Sequence, residues 1–521
     1  MSALAIDFGS TAVKASVIGD DGSVLGSGLR RLVTTFGPDG LAEQDAEMMW
    51  TSTLDASKQA LHDAGATVAT SVRSICVSSQ WMSIVPVDAS GMPVAPLHMW
   101  FDRRGTDMVE SLTAGDDGRA ARARWEEIHG FGPTVSLSHI LWFQSHPDIH
   151  SRTAAYVEPM DYLNARFTGR IAATANSAMP LSLTDTRHLG VATWSTELIE
   201  RAGVDPSRLP ELTRSLHVLA TIRPDVAAEL GLRDDVEVVT GANDSIAAAF
   251  GSGSFESGQG TVMMGTTQVL VTHHRTRHVD NHKFIVTMPS ALEDRYYVVA
   301  EGGVGGRILE AALSLSSGGS ILEEAMQPGT GGDIGEGPSP EAFAGALRLA
   351  ASSSAGANGV MFLPWLFGAL SPAPDPRLRG AFVGISLDTT TADLARAMLE
   401  GTSMQVRWLT DEVEAALSTS FEAIRFVGGG AQSDVWSGIM ADVLGRPIEQ
   451  LEHPRHANAR GAALMAFVST GQLTLDEVPD FVKVRCRYEP DPANRQLWDD
   501  RLGVYRDLHA MLAEPISRIR P

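Results

Sequence analysis

Two segments of the chain, half its length apart, share one pattern: an apolar run, a turn of glycine and hydroxyl residues, and a second apolar run. The first turn comprises residues 7–11 and the second residues 265–267. The flanking apolar runs are 3–6 and 13–18 for the first turn, and 262–264 and 269–272 for the second. Short apolar runs bounded by turn residues are typical of buried strands. Each segment therefore predicts a strand, a turn and a returning strand.

The tip of such a turn exposes backbone N–H groups and hydroxyls, which form a concave site for an anion. One such turn in each half of the chain predicts a phosphate held between two duplicated lobes. The residues expected to bind the phosphates are Gly9, Ser10 and Thr11 in the first turn, and Gly265, Thr266 and Thr267 in the second.

Other phosphate-binding motifs are absent from the sequence. Lysine occurs only at positions 14, 58, 283 and 483 and never follows glycine, which excludes a Gly-Lys-Ser/Thr phosphate loop. The β3 lysine and the His-Arg-Asp loop of protein kinases are missing. No Gly-x-Gly-x-x-Gly opens a helix after a strand, so the dinucleotide fingerprint is missing as well. We therefore expect phosphate to be bound by backbone donors, hydroxyls and a metal ion.

The composition limits the partners that the protein can have. A net charge of −22 and a pI near 5.1 oppose binding to nucleic acid or to an anionic membrane surface. The two cysteines, Cys76 and Cys486, show neither metal-type spacing nor a disulfide framework. There is no charged-then-apolar leader, and no apolar run approaches the about 20 residues of a membrane span. We expect a cytoplasmic protein that binds neither nucleic acid nor membrane.

Two aspartates follow predicted strands. Asp7 ends the first strand, where ligands bind in α/β sheets, and its carboxylate could reach a hydrated Mg²⁺. The alternative interpretation is that Asp7 only helps to form the turn. Asp244 follows the strand 236–240 at the start of a helix, and the alternative interpretation is that it only caps that helix. Because Asn243 or Ser245 could supply that cap, Asp244 is free to act as the general base for a hydroxyl.

Glycines in the second half of the chain predict a nucleotide site. A run of three glycines lets a flat ligand lie against bare backbone, whereas a tight turn needs only one or two. The residues expected to hold adenine are Gly428, Gly429, Gly430, Ala431 and Gln432. Gly305 belongs to the glycine-rich run 303–306, which we interpret as flexible backbone beside the cleft, and we include it among the nucleotide-contacting residues.

Aromatic and polar residues lie together near predicted strand ends in the first hundred residues. Aromatic faces combined with amide, carboxylate and guanidinium groups suit a polyol, which has an apolar face and many hydroxyls. For a single tryptophan, packing in the core is the commoner role. The residues expected to bind the acceptor, in addition to Asp244, are Gln80, Trp81, Met82, Trp100 and Asp102.

Strands alternate with helical patterns throughout, which indicates an α/β fold. The strand–turn–strand pattern restarts at residue 261, after the Gly- and Ser-rich segment 251–258, which is the best domain boundary in the chain. We therefore expect an internal duplication, with an N-terminal lobe formed by residues 1–253, a C-terminal lobe formed by residues 254–521, and a cleft between them.

These features together resemble the FGGY carbohydrate kinases, a family within the actin-like ATPase fold, and specifically their xylulokinase-like branch. The resemblance extends from residue 5 to about residue 471. The segments that carry it are residues 6–11, 43–45, 241–244, 264–267, 364–366, 375–380, 380–385 with 393–400, and 428–432. The pattern departs from the family in two places: His139 stands where a lysine is usual, and Met82 where xylulose kinases have a histidine after Gln-Met.

The resemblance implies two ribonuclease-H-like (actin-like ATPase) lobes with a central interlobe cleft. It implies ATP and Mg²⁺ as cofactors, with Asp244 as the catalytic base and Asp7 as the metal-holding carboxylate. The expected activity is phosphorylation of a sugar hydroxyl, with a ketopentose such as D-xylulose or a related polyol as the small-molecule acceptor. The alternatives are an actin-like ATPase acting in assembly or chaperoning, and a sugar-binding regulator without transfer activity. A homodimer is the assembly to test.

Overall fold

Two mixed β-sheets organise the chain in the computed structural model, which describes residues 1–190, 192–256, 258–265, 267–306, 308 and 340–519. We refer to the first sheet with its helices as the N-terminal lobe, and to the second sheet with its helices as the C-terminal lobe. The strands of the first sheet are β1 (Ser2–Phe8), β2 (Ala12–Gly19), β3 (Val24–Arg31), β4 (Val72–Ser79), β5 (Val218–Thr221) and β6 (Glu237–Asn243). Those of the second are β7 (Gln259–Met264), β8 (Thr267–His274), β9 (Ile285–Pro289), β10 (Tyr296–Val304), β11 (Ala423–Val427), β12 (Ile448–Leu451) and β13 (Val484–Tyr488).

The two sheets repeat the same topology. The first has the order β5-β6-β4-β1-β2-β3 and the second the order β13-β12-β11-β7-β8-β10-β9. In the first, β1 is antiparallel to β2 and parallel to β4, and β4 is parallel to β6. In the second, β7 is antiparallel to β8 and parallel to β11, and β11 is parallel to β12. The duplication expected from the two turns is therefore present in the strand order, with β9 added at one edge.

Helices cover the faces of both sheets. The nineteen-residue α1 begins after Asp45, whose side chain accepts a hydrogen bond from Met48 N–H as an N-cap. Within the described residues, the α-helices of at least seven residues are α1 (Ala46–Ala64), α2 (Thr106–Leu112), α3 (Gly115–Ile128), α4 (Val135–Gln144), α5 (Pro159–Thr168), α6 (Thr196–Ala202), α7 (Pro224–Leu230), α8 (Asp244–Ser252), α9 (Pro340–Ala351), α10 (Thr391–Leu417), α11 (Asp434–Leu444), α12 (Ala457–Ser469) and α13 (Arg495–Ile519). None of the helices in this described part is long and apolar enough to cross a membrane.

The lobes meet where α8 of the first crosses α12 of the second. A Cβ atom on Gly461 would lie 1.7 Å from the carbonyl oxygen of Ala247, and one on Gly251 would lie 1.9 Å from that of Ala457. Only glycine permits this approach of two backbones. Arg460 Nε, from α12, donates a hydrogen bond to the Gly251 carbonyl at 2.9 Å. The two lobes are thus joined by a tight helix crossing.

A hydrophobic core continues across this crossing. It combines β1 and β6 residues such as Ala5 and Ala242, the buried face of α8, and α12 residues such as Ala462 and Phe467. Each sheet also has a core of its own on its other face. Because α8 begins at Asp244, the packing between the lobes directly fixes the position of that carboxylate.

Candidate active site

The carboxyl ends of β1, β4 and β6 meet at one edge of the first sheet. In the parallel register Asp7 of β1 lies beside Ser78 of β4, and Asn243 of β6 lies beside Ser79. Gln80 extends this edge because its N–H donates to the carbonyl of Phe8 at 2.6 Å. The carboxyl edge of parallel strands is where α/β sheets bind ligands. Asp7 and Asp244, predicted from separate motifs, are brought together here.

Asp7 is buried and lies between two polar neighbours. Lys14 Nζ, from the paired strand β2, is 3.6 Å from Asp7 Oδ2. Ser78 Oγ donates to Asp7 Oδ1 at 3.4 Å. The first turn follows directly, with Ser10 half-buried and Thr11 exposed at its tip. This turn is fixed by Gln44 Nε2, which donates to the Ser10 carbonyl at 2.7 Å.

Asp244 is the first residue of α8, and it does not cap the helix. Asn243 supplies the cap, since its Oδ1 accepts from Ile246 N–H at 2.8 Å. Burial, together with the negative charges of Asp7 and Glu301, raises the pKa of the Asp244 carboxyl to about 7, although the backbone N–H of Ser245 and the charge of Lys14 lower it. At neutral pH the group is therefore close to half ionised, which is the condition that suits a general base.

The site fits a divalent cation by the chemistry of its donors. Asp7 and Glu301 are close enough to Asp244 to raise its pKa, whereas the positive charge of Lys14 lowers it. Glu301 also has a raised pKa because it is buried. Mg²⁺ is usually held by one or two carboxylates together with phosphate oxygens and water. The three carboxylates outnumber the single lysine beside them, and they provide this type of ligand.

In the C-terminal lobe, backbone contacts bring the predicted nucleotide residues together. The second turn is closed by Gly265 N–H, which donates to the Thr267 carbonyl at 3.0 Å, while Thr266 lies outside the described residues. A Cβ on Gly305 would lie 2.6 Å from the Thr267 backbone, and one on Gly428 would lie 2.5 Å from the Met264 carbonyl oxygen. Gly428 also has a φ of +94°. The two glycine segments therefore pack directly against the base of the turn.

The remaining residues of the predicted adenine site continue from this contact. Gly429 leads into a short 3₁₀ turn, Gly430–Gln432, and α11 begins after it. Ala431 is buried, whereas Gln432 is exposed and its Nε2 donates to the Gly429 carbonyl at 3.2 Å. A bare backbone surface beside the second turn is the arrangement that the predicted binding of a planar base requires.

The segment 80–82 presents unused polar atoms at the strand edge. Gln80 Nε2 contacts Met99 Sδ at 3.5 Å, and Gln80 Oε1 has no hydrogen-bond partner in the described part of the chain. The same holds for Trp81 Nε1. Met82 has a φ of +62°, a strained left-handed conformation for a side chain of this size. Strain of this kind is frequent where a loop is shaped for a ligand.

Trp100 and Asp102 have different surroundings. Trp100 is 49% exposed and packs edge-on against Phe101. Asp102 is fully buried, and its two oxygens accept hydrogen bonds from the Ala42 N–H and from the backbone and guanidinium of Arg104. Contact of Asp102 with a sugar stays a prediction that these occupied oxygens do not favour. The carboxylate instead holds the Arg104 side chain, which lies over the Trp142 ring at 4.5 Å.

Four residues near Asp7 and Asp244 were not singled out from the sequence: Lys14, Ser78, Tyr297 and Glu301. Lys14 and Ser78 could have been found from strand pairing, because both lie opposite Asp7 in their registers. Tyr297 and Glu301 come from β10 of the other lobe. Their approach to Asp244 depends on how the lobes pack, and no local pattern carries that information.

Both halves of the chain match a family of known proteins. Residues 2–251 match the N-terminal domain of the FGGY family of carbohydrate kinases, and residues 260–470 match its C-terminal domain. The chain belongs to the FGGY family of carbohydrate kinases. This confirms the predicted fold class, two actin-like lobes, and the predicted enzyme class, an ATP-dependent sugar kinase. Membership implies ATP as one substrate and a small sugar as the other, and the assembly or chaperone ATPase is not favoured.

Relatives match the FGGY protein over nearly its whole length. It is 28% identical to the xylulose kinase of Staphylococcus epidermidis over 97% of this chain and 96% of that protein. It is 28% identical to the glycerol kinase of Thermus brockianus over 94% of each. The structure of a ligand-bound xylulose kinase from Lactobacillus acidophilus has a TM-score of 0.84 over 99% of both chains, at 19% identity. The resemblance to the xylulokinase-like branch is confirmed.

Proposed function

We propose that this FGGY kinase transfers the γ-phosphate of ATP to a hydroxyl of a ketopentose, with D-xylulose as the first acceptor to test. The observation that carries the proposal is Asp244, a carboxyl with a pKa of about 7 at the ligand edge of the sheet. The resemblance to kinases named for xylulose supports the choice of acceptor.

In the proposed mechanism Asp244 accepts the proton of the attacking hydroxyl. Phosphoryl transfer requires little more than positioning, charge stabilisation and such a base. Residues 9–11 and 265–267 would bind the phosphates from the two lobes through N–H groups and hydroxyls. Gly428 to Gln432, with Gly305 behind the turn, would hold the adenine side of the nucleotide.

Asp7 would hold Mg²⁺, which would supply positive charge for the phosphates when it is bound. Lys14 and Ser78 would keep the Asp7 carboxylate in place through the contacts described above.

The acceptor would lie over residues 80–82, where Gln80 Oε1 and Trp81 Nε1 are available for hydroxyls. Trp100, exposed near this segment in the chain, would add an apolar face, and Asp102 would act from beneath by holding Arg104. Closure of the lobes would then exclude water and limit hydrolysis of ATP.

We also propose a boundary between the lobes, a location and an assembly for the enzyme. We place the boundary between the lobes at residues 253 and 254, which is supported by the αL conformation of Gly253 at the end of α8. We infer a cytoplasmic enzyme that does not bind nucleic acid, in line with the net charge of −22, and a homodimer as the assembly to be tested by light scattering.

A coupled assay of ADP formation tests the acceptor. The panel comprises ketopentoses, pentitols, tetritols, gluconate and glycerol. We expect D-xylulose or another ketopentose to give the highest kcat/KM. A preference for glycerol or gluconate would contradict the choice of acceptor, and no acceptor-dependent ADP at all would contradict the function.

The Asp244→Asn variant tests the base. It should stay folded and bind ATP while kcat falls by about 10²- to 10⁴-fold, the usual contribution of a general base. Asp55→Asn, at an exposed position of α1, is the control and should keep wild-type activity. Near-normal activity of Asp244→Asn would remove this residue from the mechanism.

A further inference from the structure

Glu158 is a fully buried glutamate of the N-terminal lobe. It precedes α5 at the N-cap position, but its side chain does not cap the helix. Its Oε1 forms no hydrogen bond with any residue that the structure describes. Burial and the charge of Asp161 raise the pKa of this carboxyl well above its usual range, although the backbone N–H groups of residues 82 and 83 lower it. A buried carboxyl of this kind is unusual in a native protein unless it has a role.

Strand pairing places Glu158 beside residues 80–83, which we refer to as the acceptor loop. The strand Val85–Val87 follows this loop and pairs antiparallel with the strand Ala155–Val157. Glu158 directly follows the second of these strands, so it comes beside the residues that precede the first. Ser83 N–H donates a hydrogen bond to Glu158 Oε2 at 3.4 Å, and both residues are buried. The carboxyl therefore holds the end of the acceptor loop.

The acceptor loop has a strained residue between two fixed points. At its start, Gln80 N–H donates to a carbonyl at the end of β1 at 2.6 Å. At its end, Ser83 N–H donates to Glu158. Between them, Met82 has the left-handed φ of +62°, which is unfavourable for a residue with a side chain. Strained residues of this kind persist only where the surrounding structure holds them. Glu158 supplies the contact directly after Met82.

The shape of the acceptor loop decides where its free polar atoms lie. Gln80 Oε1 and Trp81 Nε1 have no hydrogen-bond partner in the described part of the chain. Both residues precede Met82, so a change of φ at Met82 would move Trp81 relative to Ser83. The left-handed conformation thus determines the direction in which the loop presents its groups for acceptor hydroxyls.

We propose that Glu158 is a positioning residue for the acceptor: its carboxyl oxygen holds the Ser83 N–H and so keeps Met82 in the left-handed conformation that shapes the acceptor loop. The inference rests on the proposed function, because it requires that the acceptor lies over residues 80–82. Glu158 has no exposed surface, so it acts through the loop and does not contact the acceptor. Its removal therefore weakens acceptor binding and leaves ATP binding unaltered.

Three variants of Glu158 test this role. Glu158→Met removes the oxygen and keeps a side chain of similar length, and Glu158→Ala is a second removal in case the first variant does not fold. Glu158→Gln keeps an oxygen that can accept from Ser83 N–H. The experiment measures kcat, KM for the acceptor with the highest kcat/KM in the panel above, KM for ATP, and Tm. We expect both removals to raise the acceptor KM about five- to tenfold, the effect of one lost hydrogen bond, whereas Glu158→Gln stays close to wild type.

Met82→Gly tests whether the effect passes through the strained residue. Glycine adopts the left-handed conformation without a steric cost, so the loop no longer depends on Glu158 to hold it. Met82→Gly changes the acceptor KM by itself, because the methionine side chain is lost. In the Met82→Gly background, however, Glu158→Met should raise the acceptor KM by much less than it does in wild type.

Glu400 provides a control for the loss of a buried carboxylate. This glutamate of α10 is buried far along the chain from the acceptor loop, and its Oε1 accepts from Gly356 N–H at 3.0 Å and from Arg396 Nε at 2.6 Å. Glu400→Gln removes the charge that pairs with Arg396, so it should lower Tm. The acceptor KM should stay at the wild-type value.

The outcomes separate this inference from the function on which it rests. A wild type without acceptor-dependent activity would overturn both. An active wild type in which the removal of Glu158 leaves the acceptor KM unchanged would overturn the role of Glu158 alone. Equal increases for Glu158→Gln and Glu158→Met would also overturn it, as would an equal increase in KM for ATP or full additivity with Met82→Gly. Failure of all three Glu158 variants to fold would overturn it as well, because that result indicates a purely structural residue.

Discussion

The crossing of α8 and α12 at Gly461 makes a quantitative prediction for Gly461→Ala. The added Cβ would lie 1.7 Å from the Ala247 carbonyl oxygen, 2.6 Å from its carbon and 2.8 Å from the Gly251 nitrogen. All three are backbone atoms, so no side-chain rotation can relieve the contact. The helices must separate by more than about 1 Å to restore a normal distance in a close-packed interior.

The free energy of unfolding of Gly461→Ala should therefore fall. Overpacking usually costs about 1–3 kcal/mol, and a contact with rigid backbone belongs at the upper end. Alanine gains about 1 kcal/mol over glycine in a helix interior, which leaves a net loss of roughly 2 kcal/mol. For a unit of the size of one lobe, the corresponding decrease in Tm is roughly 4–8 °C. Because α8 begins at Asp244, kcat should fall as well.

Gly503→Ala is the matched control. This glycine lies within α13, and a Cβ built on it would meet no atom within 4 Å. The same chemical change should therefore raise Tm by about 2–4 °C through helix propensity alone and leave kcat unaltered. Differential scanning fluorimetry and the ADP assay measure both effects. A Gly461→Ala protein with wild-type Tm and kcat would refute the argument from the crossing.

Four further predictions concern residues at or near the site. The profile of kcat/KM against pH should have an acid limb near pH 7, because Asp244 must lose its proton to act; a limb below pH 5 would contradict the assignment. A raised carboxyl pKa lowers stability as pH rises from about 4 to 7, so Asp244→Asn should raise Tm at pH 8 and hardly at pH 4. Asp7→Asn should increase the Mg²⁺ concentration for half-maximal activity at least about tenfold, since an amide is a weaker ligand; an unchanged Mg²⁺ titration would exclude Asp7. Arg104→Met should destabilise the protein by about 3 kcal/mol, because it leaves the buried Asp102 without its cation, and equal denaturation midpoints would refute this.

Much of the N-terminal site could be predicted because its information is local. Strand, turn and returning strand follow from the apolar runs around residues 7–11, and parallel pairing brings the end of β1 beside those of β4 and β6. The interpretation of Asp244 depended on another residue supplying the helix cap, and Asn243 supplies it. The residue that caps α8 and the residue that is left free to act as a base are therefore adjacent in the sequence.

Other features depend on contacts that the sequence does not encode locally. The residues near Asp102 in the sequence suit a site exposed to a sugar. In the structure, however, Arg104 and the N–H of Ala42 donate hydrogen bonds to the Asp102 carboxylate, which is buried. Glu301 and Tyr297 reach Asp244 from a different lobe. A helical pattern predicts α8 and α12, whereas their crossing at two glycines emerges only when both helices are packed.

The duplicated topology gives a physical reason for the different roles that we propose for the two lobes. Strands β1, β4 and β6 correspond to β7, β11 and β12 in order and direction, so each lobe presents the same edge to the cleft. In the first lobe this edge carries the carboxylates Asp7 and Asp244, which can hold a cation and accept a proton. In the second it carries Gly265 and Gly428 at the matching strand ends, where backbone replaces side chains. A surface of N–H groups binds phosphate without competing for the proton, and a carboxylate edge on both sides would repel the nucleotide. In the proposed mechanism, this difference in side chains on a repeated topology would allow one lobe to bind the phosphate donor and the other to activate the acceptor.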